Sequence, residues 1–184
     1  MLLEKELSPI GWREWIGLPG LGVTAVKAKV DTGARSSALH AFDVKTFMQD
    51  GREYVRFKIH PNQRDTKDTV SAEAPVIDHR SVRSSGGHAT VRPVIRTEVT
   101  FLGESWPIEL TLVGRDEMGF RMLLGRQAVR GRYVVDPGRS FLGGRKKVKR
   151  KKKAKAKKRA KAKKKIKRTT KSRNLDPTQR KKST

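Results

Sequence analysis

Charge is segregated along this chain more sharply than any other property. Of its 44 lysines and arginines, 23 lie between residues 145 and 184, where Asp176 is the one acid. That stretch carries +22 of the formal net charge of +26, which leaves +4 for residues 1–144. Like charges at such density repel one another, and the segment offers almost nothing apolar to bury, so it is predicted to be disordered in water. Its alanines leave room for helix once phosphates neutralise the lysines. Any core must come from residues 1–144, a length that suits one domain. A folded body, 1–144, followed by a Lys/Arg/Ala-rich tail, 145–184, is therefore expected.

The chain has no cysteine. That excludes a disulfide scaffold and any cysteine-ligated zinc site. The first residues, Met1-Leu2-Leu3-Glu4-Lys5-Glu6-Leu7, are too short and too charged for a signal peptide. No apolar run approaches a membrane span in length. A soluble, cytoplasmic protein without membrane contact is the expectation.

Within the body, short alternating runs predict strands. Thr24–Asp31 and Tyr54–Ile59 alternate at period two, and Gln49-Asp50-Gly51-Arg52 between them reads as a hairpin turn. A strand or short helix is expected near Ser37–Phe47. Thr69–Ile77, Thr90–Leu102 and Glu104–Val113 read as further strands. The Ser84-Ser85-Gly86-Gly87 tip between the first two of these has the composition of a mobile loop. Met122-Leu123-Leu124 is a buried run, Gln127–Arg130 allows a turn or two of helix, and Gly131–Pro137 is a closing strand and turn. Residues 1–10 read as a lead-in strand or arm. The Gly- and Trp-rich stretch Gly11–Gly22 has its turn at Pro19-Gly20, and its tryptophans are expected to cover a sheet edge. Many short strands with turns about every ten residues describe an all-β barrel or sandwich.

The chemistry-bearing stretch is Val26-Lys27-Ala28-Lys29-Val30-Asp31-Thr32-Gly33-Ala34-Arg35-Ser36-Ser37. A half-buried strand delivers Asp31 to its end, and Gly33 permits a sharp turn or the close approach of another segment. By itself, Asp-Thr-Gly is more often the mark of an ordinary strand-to-turn aspartate than of a catalytic one. Asp-Thr-Gly-Ala is also the active-site signature of aspartic peptidases.

Taken together, several stretches make the body resemble the retropepsin-like bacterial peptidases long labelled ATP-dependent zinc proteases. They are Gly11-Trp12-Arg13-Glu14, Ala28 to Ala41, Arg80-Ser81-Val82-Arg83-Ser84-Ser85-Gly86, Arg92-Pro93-Val94, Glu109-Leu110-Thr111-Leu112 and Met122-Leu123-Leu124-Gly125-Arg126-Gln127-Ala128. The match runs from about Ile10 to about Leu142 and leaves out the tail. The resemblance implies a closed acid-protease barrel with one lobe per chain. A single lobe supplies one catalytic aspartate, so it also implies a homodimer whose two Asp31 carboxylates share a proton. Thr32 and Gly33 would hold the carboxylate through hydroxyl and backbone donors. Leu123-Leu124-Gly125 matches the run that lies beside the catalytic loop in such barrels, and Arg80–His88 would be a flap over the cleft.

Retroviral retropepsins usually have a second Asp after Asp-Thr-Gly-Ala, paired with an Arg of a later Gly-Arg motif. Arg35 stands in that place here, while Arg126 remains. Two guanidiniums where an ion pair belongs need carboxylates, either internal ones such as Asp43 or Glu109, or those of a substrate. The second option makes Arg35 and Arg126 anion clamps, helped by Arg80 or Arg83, for an acidic peptide. Some members of the family that this body resembles work opposite ATP-grasp ligases that add glutamate tails to a small-subunit ribosomal protein, which would suit a glutamate-directed endopeptidase. The older family label finds no counterpart in the residues. His40, His60, His79 and His88 are widely spaced with no His-Glu-x-x-His motif, and no phosphate-binding Gly-x-x-x-x-Gly-Lys-Ser/Thr loop is present. No metal or other cofactor is expected.

A reading of another class starts from residues 145–184. So many cations will bind polyanions through counterion release, while the near absence of aromatics argues against base stacking. RNA, DNA, the ribosome or an acidic protein would all serve as partner. On that reading the barrel is a non-catalytic dimerisation module.

Overall fold

The structure, a computed structural model, describes residues 6–63, 68–83, 89–114 and 119–144. The chain divides into two units, Met1–Lys146 and Lys147–Thr184. The second unit lies outside the described residues, and so does the disorder expected of it.

The body opens with β1 (Ser8–Gly11) and β2 (Arg13–Leu18), then a 3-10 turn at Pro19–Leu21 and β3 (Val23–Asp31). Next come β4 (Ser37–His40), β5 (Phe42–Gln49), β6 (Arg52–Ile59), β7 (Val70–Arg83), β8 (Ala89–Phe101) and β9 (Glu104–Val113). It closes with β10 (Met122–Gly125), a single helical turn α1 (Arg126–Val129) and β11 (Tyr133–Asp136). The fold is all-β, as expected. Asp50 and Gly51, with φ of 50° and 73°, form the two-residue turn between β5 and β6. The ambiguous stretch after Ser37 resolves into two strands separated at Ala41. Within the Gly- and Trp-rich stretch, Arg13–Leu18 is a strand paired with β3, a strand the sequence reading did not assign, with Glu14, Ile16 and Leu18 facing the core.

The strands run in the order β2-β3-β10-β4-β9-β8-β7-β6-β5, and an added β2–β8 pairing joins the first six into a closed ring. Closure occurs at Gly17 opposite Thr100. A methyl group on Gly17 would overlap the Thr100 hydroxyl and crowd the Thr24 carbonyl, so glycine leaves room for the two strands to meet there. Closure removes two sheet edges that would otherwise need protection. β7 bends at an irregularity between Val76 and Asp78. Its first half pairs with β6 and its second half with β8, so β5, β6 and early β7 extend beyond the ring.

The alternation read from sequence is the alternation of burial. Val26, Ala28 and Val30 of β3 are buried, and so are Leu39, Leu110 and Leu124 on strands around the ring. At the base of the body, Glu14 is fully buried although ionisable. Its Oε1 accepts backbone N–H bonds from Gly11 (2.7 Å) and Leu142 (2.8 Å), and its Oε2 accepts one from Gly143 (3.2 Å). Those bonds staple the end of the body onto its first strands. Among the described residues, no helix is long and apolar enough to cross a membrane.

Candidate active site

β10 inserts between β3 and β4, parallel to the first and antiparallel to the second. That insertion places Gly125 beside Asp31 in register. Asp31 is half-buried at the mouth of the ring. Its Oδ1 accepts the Gly33 and Ala34 backbone N–H groups, each at 3.1 Å. The carboxylate is thus oriented by its own loop, and among the described residues Oδ2 has no partner. The Thr32 hydroxyl makes no bond to Asp31; the second donor is the Ala34 N–H, which sequence reasoning had not assigned.

The loop itself is pinned from the other side. Arg126 N–H donates to the Ala34 carbonyl (2.9 Å) and Gln127 N–H to the Arg35 carbonyl (3.2 Å). Gly125 N–H donates to the Ser37 hydroxyl (3.1 Å). A side chain at Gly125 would run into the Ser36 carbonyl, so this position permits no Cβ. The end of β10 at Gly125 and the first residues of α1 therefore fix the Asp31 loop from behind.

Those backbone bonds also bring Arg35 and Arg126 to the same place. Both are exposed, and among the described residues no carboxylate pairs with either. Arg80 is different. It donates to Asp78 (2.8 Å) and Glu109 (2.7 Å), and these hydrogen bonds, with Glu109 the stronger, hold its guanidinium above its ordinary pKa. Of the two internal acids named as competitors for the arginines, Glu109 takes Arg80, and Asp43 pairs with Lys58 at 2.8 Å. The Arg83 side chain and residues 84–88, the tip of the expected flap, lie outside the described residues. A cavity of about 340 Å3 opens beside the loop, lined among others by Ser36, Ser37, Arg96, Glu109 and Gln127. His40 is buried in β4. Among the described residues, no three His, Cys, Asp or Glu side chains converge in a way that could hold a metal ion.

Residues 9–147 match the family model RimB-like, described as retropepsin-like aspartic endopeptidase RimB. The chain belongs to this RimB-like family. Its ring, with β10 threaded behind an Asp-Thr-Gly loop, is the family's retropepsin-like fold.

The RimB-like body also matches parts of longer proteins. It is 49% identical over 128 residues to a probable alpha-L-glutamate ligase of Parasynechococcus marenigrum (strain WH8102), covering 70% of this chain and 28% of that protein. It is 44% identical over 137 residues to a probable alpha-L-glutamate ligase of Shewanella pealeana (strain ATCC 700345 / ANG-SQ1), covering 74% and 30%. The chain thus spans under a third of the length of these curated relatives. Among solved structures, Lpg0085 of Legionella pneumophila, a protein of unknown function, superimposes with a TM-score of 0.64 at 24% identity. That match covers 75% of this chain and 99% of the other, and it concerns the fold alone.

Proposed function

We propose that this RimB-like body is an aspartic endopeptidase that works as a two-fold dimer and cuts glutamate-rich, acidic protein segments. The observation that carries the proposal is the Asp31 loop, which fixes one carboxylate oxygen and leaves the other open at the mouth of the ring. One such carboxylate is half of a catalytic pair. A second copy would bring its own Asp31 to within ~3 Å, where two carboxylates cannot both be charged. The pair then shares one proton and titrates as a unit.

Hydrolysis follows from that shared proton. The ionised Asp31 takes a proton from water as the water oxygen attacks the scissile carbonyl carbon. The protonated partner gives its proton to the carbonyl oxygen. In the resulting tetrahedral species the C–N bond breaks, the amide nitrogen takes the proton that the first carboxylate had gained, and one hydroxyl returns its proton to the partner carboxylate as the carbonyl re-forms. Carboxylic acid and amine products result, and the dyad is again singly protonated.

Two observations support an acidic substrate. Arg35 and Arg126 present guanidiniums beside the loop that have no carboxylate partner among the described residues, and guanidinium forks match carboxylates well. The longer relatives, in which a region like this one makes up under a third of the protein, are named glutamate ligases. A peptidase joined to such a ligase acts sensibly on bonds to glutamate. Arg80, already held by two internal acids, is left out of the clamp.

The test is cleavage of a glutamate-rich peptide by the full chain and by Asp31→Asn. Wild type should cut it, with activity per chain falling on dilution as dimers dissociate, and Asp31→Asn should abolish cleavage. Arg35→Ala should slow acidic peptides more than neutral ones; equal rates on both would remove the clamp. The charge of +22 on residues 145–184 favours a second role in polyanion binding. If the full chain cuts no acidic peptide between acid and neutral pH, and deletion of 145–184 abolishes salt-sensitive RNA binding, binding is the function and the catalytic proposal falls.

A further inference from the structure

β3 reaches Asp31 without interruption, and its register with β10 is unbroken from Ala28 to Asp31. Successive side chains of a strand point to opposite faces. Lys29 and Asp31 therefore project from the same face of β3, roughly 7 Å apart along the strand. The residues between and beside them, Ala28 and Val30, are buried. Lys29 itself is exposed, and among the described residues its ammonium has no carboxylate partner.

The sheet extends this position into a row. Arg13 of β2 stands opposite Lys29, Leu123 of β10 lies beside Lys29 on the other side, and Ala38 of β4 stands opposite Leu123. None of these four is buried, whereas Glu14, Met122, Leu124, Ser37 and Leu39, which alternate with them, all are. Arg13, Lys29, Leu123 and Ala38 thus form one outward rung, a single step below Asp31 and Gly125. Half of the rung is cationic and half is apolar. Arg13 is committed: its Nε donates to the Ser140 hydroxyl (3.1 Å), and its guanidinium lies over the Trp12 and Phe141 rings. Lys29 is the cation of the rung that has no partner among the described residues.

We propose that this rung is the subsite for the substrate side chain nearest the scissile bond, and that Lys29 selects a glutamyl side chain there. The proposal rests on the peptidase reading above and assigns it a further specificity-determining residue. A glutamyl side chain has the matching composition, with two methylenes to lie on Leu123 and Ala38 and a carboxylate for the Lys29 ammonium. Arg35 lies on the loop beyond Asp31 and Arg126 at the start of α1 beside it, so their carboxylates would come from substrate residues further from the cleaved bond.

The experiment compares a series of glutamate-rich peptides that differ only at the residue preceding the cleaved bond: Glu, Gln, Leu or Lys. With the full chain, kcat/KM should favour Glu over Gln by about 10- to 100-fold. Lys29→Met should remove that preference by lowering kcat/KM for the Glu peptide to the level of the Gln peptide. Lys29→Arg should retain it, and Lys29→Glu should shift preference towards the Lys peptide. A merely structural lysine would slow all four peptides alike and would not reverse the order. If wild type cuts the peptides and Lys29→Met still prefers Glu, the subsite assignment is overturned and the peptidase reading stands. If wild type fails to distinguish Glu from Gln, the assignment is likewise overturned, with no variant needed. If wild type cuts none of them, the peptidase reading has failed and this assignment falls with it.

Discussion

Replacing Glu14 by alanine should be among the most destabilising single changes in the body. The side chain is fully buried, and it accepts the backbone N–H groups of Gly11, Leu142 and Gly143. Truncation leaves two donors that were bonded at 2.7 and 2.8 Å, and a third at 3.2 Å, without an acceptor. A buried polar group stranded in this way costs about 1–3 kcal/mol. Gly11 is buried while Leu142 and Gly143 are partly open to water, so one full cost and two partial ones come to about 3 kcal/mol, against a total stability of about 5–15 kcal/mol for a domain. Glu14→Gln separates the acceptor from the charge. Its Oε1 can still receive Gly11 and Leu142, while its amide would face the Gly143 N–H, so a loss of about 1–2 kcal/mol is expected. Urea unfolding of residues 1–144 and of both variants, followed by tryptophan fluorescence, measures the two values. Equal losses in Gln and Ala, or a loss below about 1 kcal/mol in Ala, would refute the assignment of this energy to the three N–H bonds.

Two further changes test other parts of the structure. Gly125→Ala should force the Asp31 loop away from the Ser36 carbonyl, and displacement on that scale should cost about 10²-fold in kcat/KM on a glutamate-rich peptide, with a lowered Tm. Tyr133 is pushed up from 10.0 to about 12, first by burial and then by its hydrogen bond to Glu104 at 3.1 Å. The unfolded chain then loses the tyrosine proton before the folded one does, so this contribution is intact below pH 10 and lost as pH rises to about 12. The loss should amount to about 2–3 kcal/mol, and Tyr133→Phe should flatten that alkaline limb in unfolding experiments across this range.

Elements set by local pattern were legible in the sequence. β3, β6 and β9 follow from alternation, and the β5–β6 turn follows from Asp50-Gly51. Strand β2 was missed because Gly11, Gly17, Trp12 and Trp15 disguise its period. Its core face holds Glu14, which looks like a surface residue until residues 142 and 143 return to it. Ring closure was equally hidden, since it depends on one contact between Gly17 and Thr100. At the site, the Asp31 loop and Gly125 were named from a resemblance, whereas the Ala34 donor and the Arg80–Glu109 pair needed three dimensions. Arg80 shows why: a charge count cannot say which arginine an internal acid takes.

Lys29 is the instructive omission, because the information was present. Lys27, Lys29 and Asp31 occupy alternate positions of a strand whose other face is apolar, so a shared face follows from period two alone. What the sequence could not supply was the width of that face. Leu123 and Ala38 become neighbours of Lys29 only because β10 is threaded between β3 and β4. The same threading sets Gly125 beside Asp31. One topological feature therefore braces the loop that holds the acid and builds the amphipathic rung beneath it. A chain that kept Asp31 but lost the β10 insertion would lose the orientation of the carboxylate and the shape of the floor together.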